Sequence, residues 1–324
     1  MPERIVFFGT PEIARFTLAA LAESKSCEVC AVVTQPDRPR GRHQRLSPSP
    51  VKEEALRHGF AVLQPERARQ PDFIDVLRKL APDLILVVAY GQILPPAILE
   101  LPRLGCLNVH LSLLPKYRGA APIQWVFLND EKETGVTIMK MDAGLDTGDI
   151  IAQRSTPVAP EDDAQSLHDR LARLGPALLL EILPGYCSGQ IAARPQAAAE
   201  SSYARKISKE DGLLDWRKPA RVLWNQVRGL VPWPVAFTFR DAGGKRVLLK
   251  VWKAAVDSAA TPMLEPGTIL SASSSGVVVA CGQHSLRLLA LQREGARQMT
   301  AAEFLPGHPM AYGERLFVPD SPSV

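Results

Sequence analysis

Asn108 and His110 stand two residues apart in LNVHLSLLP (107–115), an otherwise apolar run closed by a proline. In a strand, positions i and i+2 point the same way, so the amide and the imidazole sit side by side while Val109 faces the opposite layer. Asp146, in LDTGD, lies on a glycine-flanked loop that could close over the pair. An amide N–H and an imidazole N–H can hold the oxyanion of a tetrahedral intermediate. A carboxylate can orient the imidazole and help remove a proton from an attacking amine. The three together suit acyl-type transfer. A satisfied, partly buried histidine with an asparagine capping a loop would meet the same spacing, so the triad leaves both readings open.

A second constellation is QPDRPRGRHQRLSPSP at 35–50. Arg38, Arg40, Arg42 and Arg45, with His43, fall close together, and Pro and Gly prevent a helix there. An extended basic loop suits phosphate backbones through charge and bidentate hydrogen bonds; a solvated loop would have the same composition. The charge distribution tilts the balance towards nucleic acid. Residues 1–205 carry 23 basic against 24 acidic side chains, whereas 206–315 carry 15 against 9, so the net +4 arises in the last third. No basic amphipathic helix accompanies that excess, which places nucleic acid before membrane. Trp216, Trp224, Trp233 and Phe237 could stack on bases. Apolar surroundings such as VRGLVPWPVAF make most of them core residues instead.

These groups need a scaffold, and 324 residues with 46% hydrophobic and 22% charged content allow one large domain or two ordinary ones. RIVFFG (4–9), CEVCAVVTQ (27–35), FAVLQ (60–64), DLILVVAY (83–90) and GCLNVHL (105–111) read as strands, with helices near 11–23, 50–58 and 71–80. Several of these strands are apolar throughout, as when helices cover both faces of a parallel sheet. A doubly wound α/β domain follows, with ligands at the carboxyl ends of its strands. GTPE (9–12), AYGQILP (89–95) and NVHLSLLP (108–115) lie at or just beyond such ends and are candidates for one shared cleft. Gly9 lacks the GxGxxG spacing, so a tight strand-to-helix turn explains it and no dinucleotide is expected.

GVTIMKMD (135–142) adds a strand before the Asp146 loop, and 163–183 is helical in pattern. The Pro-, Ala- and Ser-rich stretch after it reads as a linker. Beyond it VAFTFR, RVLLKVWKA, GTILSA, GVVVACG and SLRLLALQ make the short, closely spaced strands of a small β-barrel or sandwich. The apolar run before Gly9 is too short for a signal peptide and LILVVAY (84–90) is too short to span a membrane, so a cytoplasmic protein is expected. Cys27, Cys30, Cys106, Cys187 and Cys281 form an odd, scattered set of reduced thiols.

In its combined motifs the chain resembles the methionyl-tRNA formyltransferases over nearly its full length: FFGTPEIA (7–14), TQPDRPRGR (34–42), VVAYGQILP (87–95), LNVHLSLLPKYRGAAPIQ (107–124), GVTIMKMDAGLDTGD (135–149), YARKISKEDGLLDW (203–216) and VRGLVPWPVAF (227–237). The resemblance implies a Rossmann-like formyltransferase domain over 1–189, a linker over 190–206, an OB-like β-barrel domain over 207–315 that contacts tRNA, and a tail over 316–324. It implies transfer of the formyl group of 10-formyltetrahydrofolate to the α-amine of methionyl initiator tRNA, without a metal, by a chain acting as a monomer. By the same resemblance Asn108 and His110 polarise the formyl oxygen, and Asp146 pairs with His110 and moves protons. Val88, Ala89, Tyr90, Ser112, Leu113, Leu114, Pro115 and Asp142 line the folate site, and the arginine-rich loop reaches the tRNA acceptor end. Leu111 departs from the family, which often has a small residue there; in a strand it would face away from His110 and repack against the other layer. His43 and Gln44 stand where lysines are frequent. A sugar-nucleotide N-formyltransferase would keep the triad but has no need of the arginine-rich loop. A glycinamide ribonucleotide formyltransferase or a folate hydrolase is disfavoured by the 203–237 motifs. A tRNA-binding protein with a dead enzymatic domain would have no reason to keep all three catalytic residues.

Overall fold

The computed structural model describes residues 2–24, 27–40, 45–241, 243–257 and 264–317, so Arg42, His43 and Gln44 of the basic loop lie outside the described residues. Along the chain β1 (Glu3–Gly9) and β2 (Cys27–Val33) are followed by β3 (Arg38–Arg40), β4 (Arg45–Ser47), β5 (Val62–Leu63), β6 (Leu84–Val88), β7 (Cys106–His110), β8 (Arg118–Gly119), β9 (Glu133–Lys140), β10 (Ile150–Pro157) and β11 (Tyr203–Ala204). The main sheet has the order β10-β9-β7-β6-β1-β2-β5. Strands β7, β6, β1, β2 and β5 are parallel, as the largely apolar runs among them predict. The last two strands differ: β9 runs antiparallel to β7 and β10 antiparallel to β9. A hairpin joins β9 to β10, and that connection requires no crossover helix.

Helices α1 (Glu12–Glu23), α2 (Pro50–Arg57), α3 (Pro71–Leu80), α4 (Pro96–Leu99), α5 (Pro122–Leu128) and α6 (Ala164–Cys187) alternate with these strands. Proline opens α2 and α3, where its missing N–H costs no hydrogen bond and its fixed φ suits the first turn. Ser49 caps α2 by accepting from the Lys52 N–H, and its hydroxyl meets Thr34 at 2.7 Å. From central β1 the chain builds outward to β2 on one side and β6 on the other, which puts the topological switch point between β1 and β6. Gly9 ends β1 there, and a Cβ on it would lie 2.7 Å from that of Ala14, so the tight turn has a packing reason.

The chain forms two compact units, one of Met1–Pro122, Glu133–Pro157 and His168–Ala204, the other of Ile123–Lys132, Val158–Leu167 and Arg205–Val324. The stretch read as a linker over 190–206 is therefore part of the first unit as far as Ala204. Arg194 and Ile150 exchange backbone hydrogen bonds at 2.8 and 2.9 Å, and β11 pairs with β8 in parallel. Backbone pairing, which leaves no hydrophobic period in the sequence, anchors this segment.

In the second unit α7 (Ala220–Gly229) precedes β12 (Ala236–Asp241), β13 (Arg246–Asp257), β14 (Ile269–Ser273), β15 (Gly276–Ala280), β16 (Ser285–Arg293), β17 (Met299–Thr300), the short α8 (Ala301–Phe304) and β18 (Leu316–Phe317). The antiparallel order β14-β15-β16-β13-β12-β18 curls until an isolated bridge joins Thr268 to Arg315 beside the two edges, an OB-like half-barrel. Leu223 and Val227 of α7 pack with Leu249, Val251, Leu286 and Leu288 in its core. Trp216 is buried and donates to the Thr238 hydroxyl at 3.0 Å, and Phe237 is buried as well. Trp233 is the exception to the core expectation, 54% exposed.

Asp211 in this unit takes both nitrogens of the Arg205 fork, at 2.8 and 2.5 Å, and accepts from the Ser208 N–H at 2.7 Å. The guanidinium fork, first of these causes, draws its carboxyl down to about 2. A folded-state pKa below the unfolded value stabilises the fold above the unfolded pKa of about 3.9 and is lost as pH falls through the folded one. Asp211→Asn is therefore expected to lower Tm at pH 7, with the gap from the unsubstituted protein closing between about pH 4 and pH 2. Thermal melts across that range check it, and a gap that does not change with pH would contradict it.

Candidate active site

A cleft of about 550 Å³ opens at the carboxyl ends of β6 and β7. Asn108 lies on β7 between Val87 of β6 and Met139 of β9, and His110 pairs with Thr137. The two side chains share the cleft-facing side as their spacing predicts, Asn108 half-buried and His110 only 6% exposed. The exit of β7 is held by Thr137, whose hydroxyl donates to Ser112 O at 2.7 Å and accepts from Leu114 N at 3.0 Å.

The His110 ring is gripped from two directions. Its Nε2 lies 2.9 Å from the Tyr117 carbonyl oxygen. A carbonyl can only accept, so Nε2 carries the hydrogen and donates it. Nδ1 then faces Asp146, 3.7 Å from Oδ2, an ion-pair separation longer than a hydrogen bond. Asp146 Oδ2 also accepts from the Gly119 N–H at 2.8 Å. Both residues that meet the ring have left-handed backbone, Tyr117 at φ 61° and Asp146 at φ 51°. Such conformations cost non-glycine residues roughly 1–3 kcal/mol each and persist where surrounding bonds over-determine them.

Those bonds can be named. Tyr117 N–H donates to the Ser202 hydroxyl at 2.9 Å. The Gln196 amide donates to Asp146 O at 2.9 Å and to Gly148 O at 2.7 Å, while its oxygen accepts from Arg118 at 3.0 and 2.7 Å. Asp142 closes the same loop by accepting from Thr147 Oγ1 at 2.7 Å and Gly144 N at 3.0 Å. At Gly148 a Cβ would sit 1.8 Å from Lys140 O, so no other residue lets the loop fold back on β9. Gln196 and Ser202 were not singled out from sequence. They lie in the weakly patterned stretch read as linker, where a polar residue carries no periodic signal.

The expected lining residues divide. Val88, Ala89, Tyr90 and Asp142 line the cleft, with burial pushing the Tyr90 phenol up to about 12. Ser112, Leu113, Leu114 and Pro115 do not line it. Ser112 is fully buried and donates to Lys116 O at 2.7 Å, and Gln153 holds Leu114 O at 2.8 Å, so this turn supports the strand exit from behind. Leu111 is corrected too: β7 ends at His110, alternation stops there, and Leu111 lines the cleft instead of the opposite layer. Ile93 of AYGQILP lies on the cleft wall, 88% exposed, and sequence reasoning missed Leu145 and Tyr203 beside it, 54% and 63% exposed. Exposed large apolar side chains around a concave site suit a flat, partly apolar ligand.

A second cavity of about 690 Å³ shares Ala89, Tyr90, Gly91 and Gln92 with the first and adds the polar side chains of Thr10, Gln35, Arg38, Ser49, Glu66 and Arg67 to three prolines, Pro11, Pro36 and Pro39. The shared wall is pinned at Tyr90 O, which accepts from Thr10 at 3.0 Å and Gln35 at 3.1 Å. The basic loop opens from this cavity as the β3–β4 ladder, in which position 40 pairs with 45 and 38 with 47. Arg38 is exposed and donates to Gln35 at 2.9 Å. Asp37 anchors the base of the loop through Lys52 at 2.7 Å and Gln64 at 2.8 Å, contacts that lower its pKa. Among the described residues no group of three or more His, Cys, Asp or Glu could hold a metal ion, and no helix is long and apolar enough to cross a membrane.

Residues 3–183 match the family described as formyl transferase, and 206–309 match the formyl transferase C-terminal domain. The chain is 51% identical over 313 residues to the methionyl-tRNA formyltransferase of Trichlorobacter lovleyi, covering 97% of this chain and 96% of the relative. It is likewise 51% identical over 314 residues to that of Geobacter sulfurreducens, at the same coverage of both chains. Among solved structures, the sugar 3N-formyl transferase WlaRD aligns with a TM-score of 0.65 and 18% identity over 92% of this chain and 99% of that one, a likeness of fold. The chain belongs to the formyl transferase family, with both of that family's domains present in order.

Proposed function

We propose that this protein transfers the formyl group of 10-formyltetrahydrofolate to the α-amine of methionyl initiator tRNA. The observation that carries the proposal is the His110–Asp146 pair beside Asn108 at the floor of a cleft whose wall opens onto a second, polar cavity. Half identity to methionyl-tRNA formyltransferases over nearly the whole chain supports the acceptor. Solved proteins of this fold, a sugar 3N-formyl transferase and HypX from Aquifex aeolicus, were crystallised with 5-N-formyl-THF and with tetrahydrofolic acid respectively, which supports a folate donor. The apolar rim of Ile93, Leu145 and Tyr203 suits the flat ring of such a donor, and the polar cavity suits the acceptor end of the tRNA. The acting form in this reading is a monomer. The cytoplasm, where tRNA is charged, is its place of action.

The chemistry follows from charge development. The amine lone pair attacks the formyl carbon, a C–N bond forms, and the carbonyl electron pair moves onto oxygen. Asn108 Nδ2–H stabilises that oxyanion, and His110 adds to it in the form that carries a hydrogen on Nδ1 as well as on Nε2. Asp146 receives the proton the amine loses and keeps the imidazole oriented. When the intermediate collapses, the bond to N10 of the folate breaks, N10 takes the proton, and tetrahydrofolate and formylmethionyl-tRNA leave. Arg38, Arg40, Arg42 and Arg45 bring charge to the acceptor stem.

The assay mixes protein, 10-formyltetrahydrofolate and Met-charged initiator tRNA, with a UDP-amino sugar as competing acceptor. Formyl-methionyl-tRNA should form in preference, and none above background would reject the proposal. His110→Ala should leave tRNA affinity nearly intact while the rate falls about a hundredfold or more, near 2.7 kcal/mol of barrier; equal losses of binding and rate would contradict that division. Gln196→Ala, which frees the Asp146 loop, should lower kcat about tenfold with little change in tRNA KM or Tm. A fall in Tm with kcat unchanged would make Gln196 a packing residue only. Arg40→Ala with Arg42→Ala should weaken tRNA binding and flatten its salt dependence, and an unaltered salt slope would exclude the loop from phosphate contact.

A further inference from the structure

His110, Thr137 and Gln153 form one row across β7, β9 and β10, since 110 pairs with 137 and 137 with 153. Paired residues of adjacent strands share a face, so the three side chains stand together at the exit of β7. Gln153 is half-buried and has no part in the chemistry above. Its Nε2 donates to Leu114 O at 2.8 Å and to Thr137 Oγ1 at 3.0 Å, and its oxygen accepts from Arg194 Nη2 at 2.8 Å.

The hydrogens of this row can be placed one by one. Arginine only donates, so the Gln153 oxygen faces Arg194 and the NH2 group faces inward. One of its hydrogens goes to Leu114 O and the other to Thr137 Oγ1, which also accepts from Leu114 N at 3.0 Å. Both lone pairs of the threonine are then taken, and its own hydrogen goes to Ser112 O at 2.7 Å. Further along the turn, Leu113 O accepts from Lys116 N at 3.1 Å, Pro115 O from Ser202 N at 3.4 Å and Lys116 O from Ser112 Oγ at 2.7 Å. Each carbonyl from 112 to 116 thus has a donor, and Gln153 supplies the one at buried Leu114. The turn ends at Tyr117, whose carbonyl takes the His110 Nε2 hydrogen. A carbonyl left bare at 114 costs more than its hydrogen bond gains, so the turn would rearrange to cover it. The Tyr117 carbonyl would move with the turn.

We infer that Gln153, held by Arg194, is a positioning residue for formyl transfer: its two N–H donors fix the 112–117 turn and, through Tyr117, the ring of His110. The position requires a donor aimed at two oxygens; the shape of glutamine is secondary. This rests on the reading that His110 serves the transfer.

The test substitutes position 153 in the full chain in three ways. Gln153→Glu keeps the shape and puts an oxygen in place of the inward NH2, Gln153→Met keeps the length without a donor, and Gln153→Lys changes the shape but donates. For each, formylation kinetics at about pH 8, where a glutamate is ionised, are measured with Tm and with the solvent exchange of the His110 Nε2 hydrogen in histidine-labelled protein. Gln153→Glu and Gln153→Met should lower kcat about tenfold with both substrate KM values little changed, as a small displacement of a reacting group does. Gln153→Lys should stay within about threefold of the unsubstituted kcat, because the ammonium donates to Leu114 O and Thr137 Oγ1 while exposed Arg194 turns into solvent. The Nε2 hydrogen should exchange faster in the Glu and Met variants and remain protected in the Lys variant. If Gln153→Glu does not fold, Gln153→Met against Gln153→Lys carries the comparison. The reverse order, with Gln153→Lys the most impaired, would make 153 a packing position and overturn the inference, as would an unchanged kcat in all three. Absence of formylation by the unsubstituted protein would reject the functional reading, and the same order of exchange rates would still support the positioning of His110 by Gln153.

Discussion

The hydrogen bond from His110 Nε2 to the Tyr117 carbonyl, 2.9 Å long, is the contact on which the cleft depends. It uses one ring nitrogen for anchorage and turns the other towards Asp146 and the open side. An imidazole whose two nitrogens both met solvent would have no fixed orientation, and its role in proton transfer would depend on chance rotamers. Here a buried neighbour decides it. The left-handed turn at Tyr117 exists to point that carbonyl at the ring, and it is tied down by Ser202 from a segment 85 residues further along the chain. Asp146, left-handed as well, is tied by Gln196 and Gly119.

This arrangement explains why the first unit does not end with its last long helix. After α6 the chain crosses back over the carboxyl ends of the strands, and residues 194–204 close the site through Arg194, Gln196, Ser202 and the β8–β11 pair. The same carboxyl ends separate two tasks. The cleft with the apolar rim and the polar cavity beside β3 and β4 meet at Ala89–Gln92, a wall fixed by Thr10 and Gln35. The two cavities thus flank one wall from two sides and share Ala89, Tyr90, Gly91 and Gln92.

Much of this was legible in the sequence because period and burial agree. The apolar runs at 4–9, 83–90 and 105–111 gave parallel strands, and the i, i+2 spacing of Asn108 and His110 gave a shared face. Legibility ended where backbone geometry takes over from pattern. Leu111 was expected to face away from His110, but the strand stops one residue earlier and alternation no longer applies. The turn at 112–115 looked like a ligand wall because it follows Asn108 and His110; Thr137 and Gln153 instead draw it inward. Gln196 gave no signal, since a lone polar residue among alanines has no period and its partners are distant in sequence.

The direct measurement of the central claim is the tautomer of His110, read by long-range 15N–1H correlation in protein labelled on its histidines and assigned with His110→Gln. At a pH where the ring carries a single hydrogen, that hydrogen is expected on Nε2, with Asp146→Asn moving the Nδ1 resonance and leaving Nε2 protonated. A single hydrogen on Nδ1, with Nε2 bare, would mean that the Tyr117 carbonyl does not anchor the ring, and the assignment of Nδ1 to the reacting centre would be wrong.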